Sequence, residues 1–451
     1  MTAHLGTGAP PPRVAVVGAG PSGLYAAQAL VEQDRLPVLV DVLDRLPTPY
    51  GLIRYGVAPD HVRMKAVANT LRRTLEDPRV RFLGDVEVGR DVSAEELRAH
   101  YDAVVYCTGA AAERTLGIPG EDLPGSMSAG ELVSWYSGHP DAVALDALRA
   151  RTAVVVGAGN VALDVARMLL QSPEVLRPTD VPLDVLRVFE ASAVRDVHIL
   201  VRRGPEHVRF TPKELRDLGR VEDVDWFVDP SDLDRLRGAA HPSLSTAAVL
   251  CELAAREPTG ASRRAFLHFW TSPVELSGTG KVDAVTVART RPGAPAGGDG
   301  RPDLLPAGLV VRCVGYVAAP PVGLPFDPLR ACVPNDAGRV IGPAVGIRPG
   351  EYVAGWLKRG PSGVIGTNKP DAEETVESVL DDLSRRAAAS PTRRLDDLLR
   401  ERGVNAVTYA GWLAIDGAEA VEGRPDGRGR VKIPDWRRLR ENAASTTAAA
   451  R

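Results

Sequence analysis

The sequence predicts an α/β protein built from two Rossmann-like three-layer dinucleotide-binding domains. The prediction depends on two glycine-rich loops: Gly18, Gly20 and Gly23 have the spacing G-x-G-x-x-G, and Gly157 and Gly159 begin the spacing G-x-G-x-x-A. Each loop follows a short β-branched run and leads into a helical pattern, and this strand–turn–helix is the unit that holds a dinucleotide pyrophosphate. Two such units in one chain indicate two bound dinucleotides, with electrons passing between them.

A third glycine-rich segment, residues 356–366, predicts that one domain is inserted into the other. This segment resembles no part of the second unit, so we expect the chain to return to the first unit after completing the second. The predicted organisation is a flexible tail over 1–12, the first part of the first domain over 13–110, the inserted domain over 111–324, and the second part of the first domain, with a C-terminal extension, over 325–451.

The hydrophobic pattern places the elements in turn. In the first domain it predicts strands over 13–17, 37–43 and 103–106, helices over 24–33 and 64–75, and a hairpin or small sheet from 80–83 and 85–88. In the inserted domain it predicts strands beginning at 153, over 197–201 and over 309–314, with an exposed turn over 292–300. A strand over 352–356, helices over 370–385 and 392–402, and a polar tail over 442–451 follow.

Composition and charge argue against nucleic-acid-binding, membrane-spanning and disulfide-based classes of protein. The chain has 451 residues, enough for two or three domains, and a net charge of −3, which predicts neither a nucleic-acid partner nor a polybasic membrane surface. No uncharged apolar run approaches about 18 residues, so no membrane span is expected. None of the four cysteines forms a C-x-x-C pair, which favours idle thiols in a reducing cytoplasm over a disulfide or metal site; they are Cys107, Cys251, Cys313 and Cys332.

The acid that follows the first loop indicates which nucleotide binds there. An acidic residue is expected about twenty residues past the last glycine, at the end of the second strand, where its carboxylate accepts hydrogen bonds from the ribose hydroxyls. Asp44 stands at that place, and Asp41, inside the strand, is its competitor. An acid here favours a nucleotide with free ribose hydroxyls, such as FAD or NAD.

The second loop carries the opposite charge at the matching place. Arg202 and Arg203 follow the strand at 197–201. Guanidinium groups bind the 2′-phosphate of NADP in a bidentate manner, whereas an acid would repel it. The alternative is two solvated surface arginines. We therefore predict FAD at the first loop and NADPH at the second.

Two further residues are unremarkable on their own. A lone histidine such as His61 is more often structural than catalytic, and Asp164, in the helix after the second loop, would ordinarily be a surface acid. No Ser-His-Asp or metal-ligand spacing is present, so no metal is expected.

Longer stretches of sequence carry a family resemblance. Over roughly residues 13–385 the chain resembles the adrenodoxin-reductase-like NADPH–ferredoxin reductases, most closely their bacterial members, and the long tail is also similar to the bacterial type. The stretches that carry the resemblance are 18–25, 49–61, 157–164, 202–205, 210–216 and 355–369.

The resemblance implies an FAD domain split around an inserted NADP domain, and it implies roles for individual residues. The FAD-contacting positions are Ser22, Asp44, Leu52 and Val88, with Trp356, Gly363, Val364 and Ile365 against the isoalloxazine. The NADP positions are Ala158, Gly159, Asn160, Val161, Arg202, Arg203 and Glu214, with Gly363 on the nicotinamide side. His61 and Asp164 match a pair that the family places near the flavin and the nicotinamide.

The chain departs from the family at two places. Asp44 stands where the family usually has glutamate, which shortens the ribose-binding arm. The basic cluster with which mitochondrial members bind an acidic iron–sulfur partner is absent from the aligned segment 241–247. Nearby arginines could take the place of this basic cluster, but no motif identifies them as partner-binding residues; they are Arg235, Arg237, Arg263 and Arg264.

The resulting hypothesis is an FAD-dependent NADPH:ferredoxin oxidoreductase. NADPH gives a hydride to FAD, and single electrons then pass to a ferredoxin, an iron–sulfur protein that feeds a cytochrome P450 or another acceptor. The missing C-x-x-C argues against a dithiol route, and the lack of a cysteine-rich segment argues against a glutamate-synthase-like electron-input subunit. A flavin monooxygenase and a non-catalytic NADP-sensing flavoprotein remain as alternatives.

Overall fold

The computed structural model of the protein describes residues 10–145, 148–233, 236, 244–290, 303–344, 346–385 and 394–449. Six sequence predictions lie wholly or partly outside these residues: most of the tail over 1–12, the turn over 292–300, the start of segment 241–247, the candidate arginines Arg235 and Arg237, the first two residues of the helix over 392–402, and the last two residues of the tail over 442–451.

The strands of the described residues are, in chain order, β1 (Arg13–Val17), β2 (Leu39–Leu43), β3 (Val80–Leu83), β4 (Ala103–Tyr106), β5 (Ala110–Glu113), β6 (Ser126–Ser128), β7 (Thr152–Val156), β8 (Asp196–Val201), β9 (Val224–Val228), β10 (Arg263–Phe269), β11 (Thr271–Ser277), β12 (Ala284–Arg289), β13 (Asp303–Pro306), β14 (Leu309–Arg312), β15 (Tyr316–Ala318), β16 (Asn335–Asp336), β17 (Arg339–Gly342) and β18 (Gly346–Val353).

The α-helices of the described residues are α1 (Pro21–Glu32), α2 (Leu52–Tyr55), α3 (Val62–Lys65), α4 (Val67–Glu76), α5 (Ala94–His100), α6 (Ala129–Tyr136), α7 (Asn160–Leu170), α8 (Pro173–Leu176), α9 (Leu183–Glu190), α10 (Pro212–Leu218), α11 (Leu244–Ala254), α12 (Trp356–Arg359), α13 (Asn368–Arg385), α14 (Leu395–Glu401), α15 (Tyr409–Gly423) and α16 (Trp436–Ala449). None of these helices is long and apolar enough to cross a membrane.

The first sheet has the order β16-β17-β18-β4-β1-β2-β3. The pairs from β18 to β3 are parallel, and β16 and β17 add an antiparallel edge. Successive residues of β1 enter different cores: Val14 and Val16 pack in the core that contains α1 and α13, whereas Ala15 and Val17 pack on the opposite face. A parallel sheet buried on both faces needs apolar residues at consecutive positions, which explains the uninterrupted run in β1.

The second sheet has the order β6-β14-β7-β8-β10-β9, and all its pairs are parallel. One face packs against helices that include α6, α7 and α10, and the other is partly covered by the antiparallel sheet β11-β12-β13. Every strand of this sheet lies in the chain between β4 and β16 of the first sheet. The α/β class and the insertion of one nucleotide-binding domain into the other are therefore confirmed.

A two-stranded ribbon links the two sheets. β5 leaves the first sheet after β4, and it pairs in an antiparallel manner with β15, which leads the chain back. The boundaries predicted at residues 110/111 and 324/325 fall at or shortly after this ribbon, and they remain predictions.

Three element predictions were wrong. Residues 85–88 form no strand: Asp85 has a φ of 56°, and β3 pairs in parallel with β2 instead of folding back. The helix predicted over 64–75 is two helices that meet at Ala66. The tail predicted over 442–451 is helical to Ala449, because α16 buries Leu439 and Ala443 in the core of the first sheet, in contact with α15. The composition of residues 442–451 alone could not predict this helix, because its buried face depends on contact with another helix.

Candidate active site

The glycines of the first loop serve two purposes. Gly18 has a φ of 108°, and a Cβ on it would lie 2.7 Å from the Cys107 carbonyl oxygen. A Cβ on Gly23 would lie 1.8 Å from the Gly18 carbonyl oxygen. Gly20 differs, because its Cβ would meet only Gly51 Cα at 3.9 Å. The fold itself therefore requires Gly18 and Gly23, whereas Gly20 keeps a space open at the start of α1.

The second loop repeats this division. A Cβ on Gly157 would lie 2.4 Å from the Cys313 carbonyl oxygen, whereas a Cβ on Gly159 would have nothing within 4 Å. Gly20 and Gly159 are the N-cap residues of α1 and α7, and neither helix has a side-chain cap. Each loop thus leaves a space beside the free N–H groups of a helix N-terminus, which is what a dinucleotide pyrophosphate requires. The residues present fit two dinucleotides.

Asp44 is fixed at the rim of the first space. Its two carboxylate oxygens accept hydrogen bonds from the backbone N–H of Ala19 at 2.7 Å and of Leu46 at 2.9 Å. Burial raises the pKa of Asp44 above its ordinary value, although the two backbone bonds oppose that shift. The competitor Asp41 has a structural role instead: it pairs with Arg81 at 2.7 Å and accepts the Tyr101 hydroxyl at 2.6 Å.

The return segment of the chain closes onto the first loop. A Cβ on Gly355 would lie 2.5 Å from the Oγ of Ser22, which is buried at the start of α1. Trp356 stacks on Tyr316 with ring centroids 5.6 Å apart. Tyr316 was not among the predicted site residues, and its only local signal is that it directly follows Gly315.

The remaining residues predicted to contact FAD lie around this junction. Leu52 opens α2 next to Gly51, whose Cβ would lie 2.9 Å from Gly20 Cα, and its side chain is half exposed. Val88 is half-buried against the core on one face of the first sheet. The three residues 363–365 precede α13; Val364 is exposed, and Ile365 packs against the core of the first sheet.

The second loop is wrapped by the segment that follows β8. The carbonyl oxygen of Ala158 accepts hydrogen bonds from the backbone N–H of Arg209 and of Phe210, and Asn160 Oδ1 accepts from the N–H of Thr211 at 2.8 Å. The side-chain carbonyl oxygen of Asn160 therefore already accepts a hydrogen bond within the protein. Val161, like Ala158, is partly buried against the core of the second sheet.

Arg202 and Arg203 lie beside this loop. The N–H of Gly157 donates to the Leu200 carbonyl oxygen at 3.0 Å, so the end of β8 adjoins the second space. Both arginine side chains are exposed, while their backbone carbonyls accept from Thr290 Oγ1 and from the N–H of Trp270. A fixed backbone with exposed guanidinium groups suits the binding of a phosphate.

Three segments meet at His61. Its Nε2 lies 2.9 Å from Asp164 Oδ1 of α7 and 3.1 Å from Glu214 Oε2 of α10. Burial is the largest influence and lowers the pKa of His61, but the hydrogen bonds to Asp164 and Glu214 together outweigh it and raise the pKa to about 9. The hydrogen bond to His61 holds the pKa of Glu214 at about 2. The ring is therefore protonated near neutral pH, between two carboxylates.

Glu214 lies next to His61, and its role as an NADP contact stays a prediction. It was predicted among the NADP contacts, and the structure brings it to the predicted pair of His61 and Asp164. Asp217 completes a group of potential metal ligands that lie within 4.8 Å of one another. Lys213 Nζ lies 2.9 Å from Asp217 and 3.3 Å from Glu214, so its ammonium group gives these carboxylates a positive partner in place of a metal ion.

The candidate arginines on β10 do not face this site. Arg264 pairs with Asp196 at 2.6 Å, and Arg263 donates to the Leu170 carbonyl oxygen. Both stand at the start of β10, and in a parallel sheet that edge is opposite the one where the second glycine loop follows β7. They are therefore poor substitutes for the missing basic cluster.

The chain is similar to known oxidoreductases over most of its length. Residues 12–218 match the family model described as pyridine nucleotide-disulphide oxidoreductase. The chain is 42% identical over 447 residues to NADPH-ferredoxin reductase FprA of Mycobacterium leprae, covering 94% of this chain and 97% of that one. It is 39% identical to the mitochondrial NADPH:adrenodoxin oxidoreductase of Rattus norvegicus, covering 95% and 91%.

The fold comparison agrees with the sequence comparison. The structure of Mycobacterium tuberculosis FprA in complex with NADPH superposes with a TM-score of 0.88 at 41% identity, covering 96% of this chain and 100% of that one.

Proposed function

Because this chain belongs to the NADPH–ferredoxin reductase family, which also contains the mitochondrial NADPH:adrenodoxin oxidoreductases, we propose that it is an FAD-dependent NADPH:ferredoxin oxidoreductase. One observation supports the proposal above all. Each of the two glycine loops leaves room for a pyrophosphate at the uncapped N-terminus of a helix, and the strand that comes next ends in an acid in one case and in two arginines in the other. Asp44 suits the ribose hydroxyls of FAD, and Arg202 with Arg203 suits the 2′-phosphate of NADP.

Bound FAD supplies the chemistry that joins a two-electron donor to a one-electron acceptor. The first loop would hold its pyrophosphate at the N-terminus of α1, and Asp44 would bind its ribose. The residues that would enclose the rest of the group are Ser22, Leu52, Val88 and, in the return segment, Trp356, Gly363, Val364 and Ile365.

The second loop and the two arginines orient NADPH. Gly159 admits the pyrophosphate, and Ala158, Asn160 and Val161 shape the turn around it. His61, Asp164 and Glu214 line the boundary between the two domains, where they hold a proton on His61 Nε2 at neutral pH. We assign His61 and Asp164 the role of catalytic residues. The positive charge of the protonated His61 ring, held by Asp164, would face the nicotinamide and the flavin.

The electron acceptor is a ferredoxin, an iron–sulfur protein that receives single electrons. We place the reaction in the cytoplasm, with a cytochrome P450 or another enzyme as the consumer of the electrons. An acidic ferredoxin docks near the flavin edge, across the cleft between the two domains.

The direct test is an anaerobic titration of the purified yellow protein, which we expect to contain one FAD per chain. NADPH should bleach the flavin, and a ferredoxin added next should be reduced and pass electrons to cytochrome c. A flavin that stays oxidised after NADPH indicates a sensing protein instead of an enzyme. Oxygen-coupled hydroxylation of an organic substrate indicates a monooxygenase.

Salt should separate the two halves of the reaction. Charge pairing between proteins acts on the encounter rate and is screened beyond about 10 Å at 0.1 M salt. Ferredoxin-linked cytochrome c reduction should therefore fall with ionic strength, while NADPH–ferricyanide turnover falls less. The segment 241–247 lacks the basic cluster, so the dependence should be shallower than in the mitochondrial relatives. Equal responses of both activities would contradict charge-guided docking.

A further inference from the structure

A buried arginine joins the two domains directly behind His61. The Arg167 side chain, on α7, is only 3% exposed. It donates to Asp60 through Nε at 2.9 Å and through one terminal nitrogen at 3.0 Å, and the same terminal nitrogen donates to Asp164 at 2.8 Å. Asp60 lies in the segment between β2 and β3 of the first sheet, whereas α7 follows β7 of the second. The bidentate pair therefore crosses the domain boundary.

The other terminal nitrogen of Arg167 reaches the imidazole itself. It lies 3.0 Å from His61 Nε2, which is also within hydrogen-bond distance of Asp164 and Glu214. Arginine can only donate, and a carboxylate can only accept. A protonated Nε2 therefore binds a carboxylate and faces an arginine N–H, whereas a deprotonated Nε2 accepts from Arg167. The geometry offers a partner for each protonation state.

Resting on the proposed function, we propose that Arg167 is a positioning residue of the NADPH half-reaction, which clamps Asp60 to Asp164 across the domain boundary and supplies the donor for His61 when the ring loses its proton. We place Arg167 in neither nucleotide site. It acts by fixing the distance between the loop that carries His61 and the helix that follows the second glycine loop.

The charges around His61 set the direction of the pH effect. Asp164 and Arg167 face the ring from α7, Glu214 faces it from α10 with Lys213 behind, and Asp60 is its chain neighbour. Tyr136 of α6 adds a buried neutral hydroxyl, since burial, together with Asp164, raises its pKa. The positive charge of Arg167 opposes the carboxylates and lowers the pKa of His61. Removing Arg167 should therefore raise that pKa.

The domains have further contacts, so loss of Arg167 need not separate them. Lys65 pairs with Asp180 at 2.9 Å, and Lys432, buried in the C-terminal extension, lies 3.2 Å from the same carboxylate and donates to the Ser137 carbonyl oxygen at 2.9 Å. These contacts cross the same boundary at a different place.

The test compares Arg167→Met, Arg167→Lys and Asp60→Asn in the FAD-loaded protein. The chain has 8 histidines, so ¹⁵N-histidine NMR can follow each ring, and His61→Gln identifies the His61 signal. We expect the His61 midpoint to move up in Arg167→Met, to move down in Asp60→Asn, where the arginine charge is no longer neutralised, and to stay near that of the wild type in Arg167→Lys. Opposite shifts show that both charges act on the His61 ring, since a general structural defect would move both midpoints alike; the kinetic comparison then tests whether the pair positions the site.

Kinetics supply the second readout. Displacing reacting groups by about 1 Å costs roughly a hundredfold in rate, so kcat for NADPH–ferricyanide turnover should fall about ten- to a hundredfold in Arg167→Met. KM for NADPH should change little, and Arg167→Lys should recover part of kcat. The matched control is Arg339→Met, which breaks a comparable bidentate pair with Asp382 inside the first domain. Its kcat and its His61 midpoint should remain those of the wild type.

Three outcomes overturn the proposal: unchanged midpoints in both Arg167→Met and Asp60→Asn, shifts of the same sign, or an equal loss of kcat in Arg339→Met. If Arg167→Met does not fold, Arg167→Lys and Asp60→Asn carry the same test. If the wild type does not reduce its flavin with NADPH, the proposed function fails, while the NMR titration still decides whether the clamp sets the protonation of His61.

Discussion

Gly20→Val is expected to give a folded protein that retains no FAD and has lost all NADPH-dependent electron transfer. Gly20 has φ −76° and ψ −177°, an extended conformation that valine adopts readily. A Cβ there meets only Gly51 Cα at 3.9 Å, so the protein itself tolerates the first added carbon. The added side chain fills the space in which the pyrophosphate must approach the N-terminus of α1. The measurement is flavin absorbance per chain after purification, with circular dichroism to show folding.

The matched control is Gly417→Val in α15. Gly417 is exposed, and a Cβ on it meets nothing within 4 Å. Valine there should leave one FAD per chain and full activity, because valine is a slightly better helix former than glycine and the position is exposed. A Gly20→Val protein that stays yellow would show that the first loop does not hold the pyrophosphate.

Arg202→Ala combined with Arg203→Ala should weaken NADPH roughly ten- to a hundredfold and leave NADH almost unchanged. Hydrogen bonds to charged groups contribute about 1.5–3 kcal/mol each, and about 1.4 kcal/mol corresponds to tenfold in affinity. We expect a total loss close to that of one such bond and below the sum of two, because both side chains are exposed at the end of β8. The two nucleotides differ only in the 2′-phosphate, so the ratio of their KM values isolates its recognition. FAD content should stay at one per chain.

The control for the arginines is Arg151→Ala. Its side chain is 71% exposed and lies just before β7, at the edge of the second sheet opposite the nucleotide loops. This variant should preserve the preference for NADPH. Equal losses for NADPH and NADH in the double variant would mean that Arg202 and Arg203 do not bind the 2′-phosphate.

Local sequence determined much of this protein. Glycine spacing, a β-branched strand before each loop and a charged residue after the next strand are all short-range signals, and they predicted both nucleotide loops, the α/β class and the insertion. Strands β1, β3 and β4 were predicted with the bounds that the structure has. Consecutive buried positions in a parallel sheet need uninterrupted apolar runs, which explains β4 and most of β1, whereas the edge strand β3 contains Arg81. The residues that the resemblance implies for FAD and NADP remain proposals.

Only the tertiary structure decided which charged groups meet. Asp60 and His61 are adjacent to each other in the chain but more than a hundred residues from Arg167, and Glu214 reaches His61 from another helix. The same applies to the helical end of the chain, whose buried face depends on α15. A hydrogen bond or an apolar contact requires two partners within a few ångströms, and a single sequence specifies that distance only for near neighbours. The arrangement of His61, Asp164, Glu214 and Arg167 therefore became visible only when the two domains were placed against each other.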